Sequence, residues 1–396
     1  MQAIKPDILI ISNMGPKRSA PFQGKFVHNQ VWALAALHPG YHYMRWHSDS
    51  LLNKLLKYPV FTLDFIWRFI LSRRRFDIVH VHFFYPTIYL ALLYRLLRNR
   101  RVKIVVTCHG SDIYKYSPPG KLYRWCAGKV DQWIFASKAL AGQFYQPKPQ
   151  AKILPAGIAE LYSQVEAVPR QDKSIDVLYV GSLDHNKGMG RLLQLLPLLA
   201  GKKLVIAGSG PMLEQLQQAA RQFPDVLVVG PKDSPALKQL YSQAKCFVSL
   251  SRHEAFGLVM AEAMACFTPV IATDTDGARE QIQHADNGFI LAQHDNETQI
   301  VHEFAKAIQY VLSMPDGEYQ AMQQAARQHS LPAMAAIADA QGQHPQPAQH
   351  EAADGHRGPL PADVELGRGD ERGHGEGDAV VEQAERGAAR PGQQQG

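Results

Sequence analysis

The sequence predicts an α/β protein of two doubly wound, Rossmann-like domains with a low-complexity tail behind them. Three observations carry this. Short apolar runs repeatedly end in a glycine or polar turn and lead into a stretch of helical spacing, the pattern of parallel strands joined by helices. Such units fill residues 1–155 and again 175–330, with a polar hinge at 156–174 between them. Composition then changes over 331–396. Residues 341–396 hold no aromatic residue, Lys, Cys, Met or Ile, which reads as a disordered tail or an aberrant reading of the gene.

The first unit is Asp7-Ile-Leu-Ile-Ile-Ser, a glycine-containing loop from Asn13 to Gly24, and a helix over Phe26–Leu34. Asp77–Phe83 is a further strand, with His80 and His82 on one face by their i, i+2 spacing. A metal needs a third ligand there, and none is evident nearby. Lys103–Cys108 runs straight into His109-Gly110-Ser111-Asp112, polar residues at the end of a parallel strand, where open sheets of this kind keep their ligand crevice. Asp131–Ser137 closes the domain.

The second domain opens with Asp176-Val-Leu-Tyr-Val-Gly181, followed by Asn186-Lys187-Gly188 and a helix over Arg191–Leu199. Strand–glycine units recur at Lys203–Gly210 and Asp225–Gly230. The strand Cys246–Leu250 delivers the most informative stretch, SRHEAFGLVMAEAMACFTPVIATDTDGARE, from Ser251 to Glu280. Glu254 and Glu262 stand there with seven residues between them. Gly257 lets the backbone approach a ligand, and Leu258–Cys266 is a run of good helix formers. Free amides at that helix start and the two carboxylates suit a polyhydroxylated or phosphorylated ligand; two solvated glutamates on an ordinary loop–helix–strand unit fit the spacing as well.

Charge narrows the partners. The 396 residues carry a formal net charge of +6, but residues 1–152 hold 23 Lys and Arg against 6 Asp and no Glu, a surplus of 17. Residues 331–396 have 5 Arg against 11 acids. A front half this basic implies an anionic partner. No helix-turn-helix, zinc-finger, RRM or KH pattern is present, so nucleic acid is not expected. Leu51–Phe76 and Thr87–Arg101 are basic and rich in Leu and aromatics, with Pro59 and Asp64 in the first; each fits an ordinary helix packed on the sheet with a solvated basic end as well as a segment lying at an anionic membrane surface, and the charge of the whole front half favours the membrane surface. Cys108, Cys126, Cys246 and Cys266 are scattered and read as reduced, buried thiols. The first residues read as a strand, not a signal peptide. The expected location is cytoplasmic, peripheral at the inner face of the plasma membrane.

The stretch from Ser251 to Glu280 resembles the E-x7-E signature of retaining GT-B glycosyltransferases, family 4 in particular. The resemblance rests on Glu254, Phe256-Gly257-Leu258, Glu262-Ala-Met-Ala, Pro269-Val-Ile-Ala, Gly277 and Glu280. His109-Gly-Ser-Asp112 is similar to the family's His-Gly-x-Asp motif, and Pro21 to Leu34 to its N-terminal loop. The resemblance implies a GT-B fold, two Rossmann-like domains facing across a cleft that holds a UDP- or GDP-linked sugar. It implies that Glu262 holds the ribose and Glu254 the donor sugar hydroxyls. The amides of Phe256, Gly257 and Leu258 would meet sugar or phosphate, Lys187 and Gly24 the diphosphate, and His109 the reacting sugar. No cofactor or metal is expected, because Lys187 takes the place of an ion; Asp274-Thr-Asp276 matches the family's glycine loop rather than a metal motif.

Some positions depart from the pattern. Ala156 and Ala159 replace a hinge Asn and Asp, and Ser182 replaces a diphosphate-binding arginine, with Arg191 a speculative substitute. Phe267 replaces a glycine just past the helix, where strain or a repacked turn is expected. The family's helix crossing back to the first domain would begin near Gln324. The implied activity is retaining, metal-independent transfer to a lipid-linked saccharide, a lipopolysaccharide or an exopolysaccharide. A sugar phosphorylase, an epimerase or a non-catalytic nucleotide-sugar-binding relative are the alternatives.

Overall fold

The structure, a computed structural model, describes residues 6–16, 24–45, 50–148, 150–154 and 157–340. Residues 341–396 of the tail, the hinge's Ala156 and Pro155 just before it lie outside them.

Two six-stranded, all-parallel sheets organise the described residues. The first holds β1 (Ile8–Ser12), β2 (Gly40–Tyr43), β3 (Ile78–His82), β4 (Lys103–Cys108), β5 (Gln132–Phe135) and β6 (Lys152–Ile153), in the order β2-β1-β3-β4-β5-β6. The second holds β7 (Ile175–Val180), β8 (Leu204–Ala207), β9 (Val226–Gly230), β10 (Ala244–Ser249), β11 (Val270–Thr273) and β12 (Gly288–Leu291), in the order β12-β11-β10-β7-β8-β9. Helices cover both faces of such sheets, so their central strands read as continuous apolar runs; β8 and β11 are buried at every residue. The edge strand β2, Gly-Tyr-His-Tyr, has no such run, and its pairing with β1 forms it.

Strand order locates the site before any side chain is considered. Ligands of doubly wound sheets sit beyond the strand C-termini where the order reverses. Those points are β1/β3 in the first sheet and β7/β10 in the second. The residues that follow β7 and β10 are the Lys187 loop and the Glu254 loop.

The helix Asp316–Ala340 begins well before Gln324 and continues ten residues into the segment assigned to the tail. Its first half packs on the helix Leu258–Ala265, with Ala326 in the same buried cluster as Met260, Ala261 and Met264, while Tyr319 and Met322 join the core of the second domain; it also passes beside the helix Lys25–Ala33 of the first domain. Arg327 donates to the carbonyls of Tyr162 (3.0 Å), Ser163 (2.6 Å) and Ala265, tying the hinge to the second domain. All four cysteines are buried and free.

The turn at Phe267 keeps a glycine's conformation without a glycine. Phe267 has φ 56°, and the amides of Phe267 and Thr268 donate to Met264 (3.0 Å) and Ala263 (3.1 Å), which is Schellman capping of the helix Leu258–Ala265. A left-handed residue with a Cβ costs roughly 1–2 kcal/mol. Three contacts offset it. The Phe267 carbonyl accepts from Lys173 Nζ (3.3 Å) and Gln323 Nε2 (3.1 Å), and the Arg327 guanidinium lies 5.1 Å from the ring centroid. The expected strain is present, and the neighbours hold it.

Candidate functional site

Glu254 and Lys187 meet. Lys187 Nζ donates to Glu254 Oε2 in a partly buried ion pair that joins the loops after β7 and β10. Close backbone approach makes this possible: Gly188 has φ 77°, and a Cβ there would come within 2.1 Å of the Leu250 carbonyl. Asn186 stitches the two loops, its Nδ2 donating to the His253 carbonyl (3.1 Å) while its own carbonyl accepts from the Arg252 amide (2.8 Å). The Lys187 amide donates to Asp184 Oδ1 (2.9 Å).

The Glu254 loop is braced from behind by residues that sequence reasoning did not single out for this task. The Gly277 amide donates to the Glu254 carbonyl (2.8 Å), and Gln281 Nε2 donates to the carbonyls of Phe256 and Gly277 (3.2 Å). Gly277 lies so close that a Cβ would meet the Phe256 carbonyl at 2.4 Å. Gly257 takes φ 79° and starts the helix Leu258–Ala265, so the first amides of that helix face the loop. The Phe256 ring is buried, which leaves its backbone as the part available to a ligand.

Glu262, one turn into the helix, accepts from the Tyr241 hydroxyl at 3.0 Å. Tyr241 is fully buried; burial first, and the Glu262 carboxylate second, push its pKa well above the ordinary value. Glu262 is thus oriented by a neutral hydrogen-bond donor. Nothing in the sequence pairs Tyr241 with Glu262, because they lie on different helices, Ser234–Gln243 and Leu258–Ala265.

The first domain presents His109 at the end of β4. Its ring stacks on His82 (centroids 5.3 Å apart), with His82 Nδ1 3.0 Å from its Nε2, and His80 Nε2 lies 2.7 Å from Thr107 Oγ1. Burial lowers His109 to about 3 and His80 to about 4, and takes His82 well below the ordinary 6.5, so all three are neutral imidazoles at pH 7. Asp112 is buried and accepts from the amides of Phe84 (2.8 Å) and His109 (3.0 Å), which fixes the turn. Gly24, with φ 67°, packs on Gly15 beyond β1, at the same end of this sheet; residues 17–23 of that loop lie outside the described ones.

The two domains touch at the site. A Cβ on Gly110 would approach Ala255 Cβ to 2.7 Å, Ser137 Oγ donates to the Ala255 carbonyl (3.2 Å), and the Tyr114 hydroxyl donates to Asp276 Oδ2 (2.6 Å). Between them lies a polar cavity of about 230 Å³ bounded by Tyr114, Arg252, Glu254, Asp274, Asp276 and Arg279.

One sequence reading changes, and a second acquires its partners. Arg191 does not face a diphosphate: it is buried, bridges to Glu297 (2.8 Å) and donates to the Leu250 carbonyl (3.1 Å), bracing the β10 loop. In Asp274-Thr-Asp276, Asp274 pairs with Arg279 (2.5 Å), Thr275 caps the helix Asp276–Gln281, and Asp276 binds Tyr114. Among the described residues no cluster of His, Cys, Asp or Glu is placed to hold a metal ion.

Two parallel sheets with a polar site across their strand C-termini define a GT-B-type protein. The family models agree: "Glycosyltransferase Family 4" matches residues 27–158 and "Glycosyl transferases group 1" matches residues 163–329. The chain belongs to these glycosyltransferases. It is 29% identical to an uncharacterized glycosyltransferase of Methanocaldococcus jannaschii, over 55% of this chain and 63% of that protein. It is 26% identical to N-acetyl-alpha-D-glucosaminyl L-malate synthase of Bacillus anthracis, over 61% and 68%. The matched part therefore spans about two-thirds of these relatives. Among solved structures, HepE of Anabaena, in complex with UDP and glucose, superposes with a TM-score of 0.64 at 16% identity, covering 85% of this chain and 98% of that one. Sucrose-phosphate synthase of Thermosynechococcus elongatus gives 0.64 at 21%, with the same coverage. These two likenesses concern the fold.

Proposed function

We propose that the protein is a retaining glycosyltransferase that moves a sugar from a UDP- or GDP-linked donor to a lipid-linked saccharide, lipopolysaccharide or exopolysaccharide acceptor at the cytoplasmic membrane face. The observation that carries the reading is the Lys187–Glu254 pair at the reversal point of the second sheet, with the His109 turn packed against the same loop.

The pair gives the donor two handles. Lys187 supplies the positive charge that a departing diphosphate needs, so the chemistry proceeds without a metal ion. Glu254, held by Lys187, accepts hydrogen bonds from sugar hydroxyls, and the amides of Phe256, Gly257 and Leu258 meet sugar or phosphate oxygens. Glu262, oriented by Tyr241, holds the ribose. Gly24 lets the first domain's loop approach the diphosphate. His109 is a neutral hydrogen-bonding group toward the reacting sugar, since its lowered pKa leaves it without the imidazolium proton at pH 7, one ring nitrogen donating and the other accepting. Front-side attack, with a leaving phosphate oxygen taking the acceptor's proton, then yields retention.

The test is a thermal-shift screen with UDP-, GDP- and ADP-sugars, followed by product analysis with the sugar that stabilises most. Stabilisation by one of them, lost in Glu262→Gln and Lys187→Ala while the fold survives, is expected. Unchanged binding in both variants removes the site assignment.

A further inference from the structure

The helix after β2 has two apolar faces, and only one of them is used. Residues Leu51–Phe65 form an α-helix that continues without a break into the π-helical turn Ile66–Ile70. On the inner face Phe61 and Phe65 are buried, with Phe61 stacked 4.3 Å from His42. On the outer face Leu52, Leu55, Leu63, Trp67 and Leu71 recur at intervals of three, four or eight residues, a single stripe on a helix. Every one of them is at least 65% exposed, and Trp67 reaches 76%. Soluble surfaces scatter single apolar residues; a continuous stripe of this length marks a docking surface.

The stripe does not end with the helix. Arg98 donates to the Ser72 carbonyl and Asn99 Nδ2 to the Phe76 carbonyl (2.9 Å), which brings the end of the helix Phe84–Leu97 beside it. Leu96 and Leu97 there are also more than half exposed. Around this junction stand Arg73, Arg75, Arg100 and Arg101, all exposed, none with a carboxylate within 4 Å among the described residues. An apolar stripe that ends in a group of guanidinium side chains complements one kind of surface, a lipid interface with anionic headgroups.

The topology adds a reason. The helix follows the edge strand β2 in the chain and precedes β3, so it leads from the C-terminal end of one parallel strand back to the start of another. Its first turn is therefore at the cleft mouth and its basic end lies some 30 Å away by helix geometry. With the stripe lying on a bilayer, the cleft opens beside the headgroups, where a lipid-borne saccharide presents its sugar. No helix among the described residues is long and apolar enough to cross the membrane.

We infer that the outer face of the Leu51–Leu71 segment, with Leu96 and Leu97, lies in the headgroup region of an anionic bilayer, the four arginines resting on phosphates. This names the surface behind the lipid-linked acceptor proposed above and rests on that reading for its purpose, but its test does not need activity.

The test uses the full chain and co-sedimentation with vesicles of phosphatidylcholine alone or mixed with phosphatidylglycerol. Binding to the mixed vesicles, reduced by salt, is expected. Leu63→Glu with Trp67→Glu is expected to lower partitioning by about tenfold or more, since two anchors then carry charge into the interface. Arg73→Glu with Arg75→Glu is expected to abolish the preference for the anionic lipid. All four positions are exposed, so circular dichroism and the nucleotide-induced thermal shift should stay as in the parent. Failure to bind vesicles, or equal binding by the parent and both double variants, overturns the inference. Self-association of the parent that Trp67→Glu removes, without vesicle binding, assigns the face to a second copy instead. Absence of any nucleotide-sugar thermal shift in the parent, with vesicle binding intact, would sink the donor-site reading and leave this one standing.

Discussion

The two domains share an architecture and differ in how they treat charge. Both are six-stranded parallel sheets whose order reverses once. At the reversal of the first sheet the side chains are neutral: three stacked histidines whose burial keeps them unprotonated, beside a buried Asp112 held by backbone amides. At the reversal of the second sheet they are ionic: Lys187–Glu254, the Arg191–Glu297–Arg252 bridge, and Asp274–Arg279 close by. A diphosphate needs fixed countercharge, whereas a sugar being transferred needs hydrogen bonds that do not compete by protonation. In the proposed reading the ionic side takes the diphosphate and the neutral side the sugar.

The comparison is most easily broken at Lys187. In Lys187→Ala, Glu254 loses its partner and a bound diphosphate loses its cation, and affinity for the preferred nucleotide should fall by about a hundredfold, or ~2–3 kcal/mol. Titration calorimetry reads this directly. An equal loss in His109→Ala would mean that the division of labour is wrong.

The neutral cluster makes its own prediction in acid. His80 and His109 have folded pKa values of about 4 and about 3, below the ordinary 6.5 of an unfolded chain. Between those limits the unfolded state binds more protons, so stability rises with pH there. It is complete above about pH 6.5 and drains away as pH falls toward 4 and below. Urea titrations at stepped pH should show this slope, and His80→Gln should flatten it. An unchanged slope in that variant would place the acid sensitivity elsewhere.

A smaller effect separates position from charge. His82→Leu removes the ring whose Nδ1 orients His109, and turnover should drop roughly tenfold through misplacement, while nucleotide affinity holds. His82→Asn, which keeps a polar atom near that place, should recover part of it. Tyr114→Phe deletes the bond to Asp276 between the domains and should cost about 1 kcal/mol in thermal stability. Least of all, Phe267→Gly relieves left-handed strain but loses the contact with Arg327, so the net change should stay within about 1 kcal/mol. Phe267→Val, branched at Cβ in a left-handed turn, should be clearly worse.

Much of the architecture was legible because buried parallel strands announce themselves as apolar runs and their turns as glycines. β1, β3, β4, β7, β8, β10 and β11 fall where the runs are. β2 did not show, since its residues are polar or aromatic and a neighbouring strand, not its own pattern, makes it a strand. Arg191 illustrates the opposite error: a cation near the Lys187 loop was given to a ligand, while folding buries it against Glu297. The sequence alone could not distinguish these, because the partner is more than a hundred residues away.

The local chemistry was therefore determined by the sequence itself: a left-handed Gly257 before a helix, carboxylates at Glu254 and Glu262, and an amphipathic segment too interrupted to span a membrane. Tertiary structure decided which of these groups meet. Lys187 reaches Glu254 because the strand order reverses between β7 and β10 and sets their loops side by side, Tyr241 reaches Glu262 because two helices pack together, and Tyr114 reaches Asp276 because the two domains meet. Spacing along a chain sets the geometry within one helix or strand. Contact between elements depends on the packing of the whole core, which no short stretch of sequence contains.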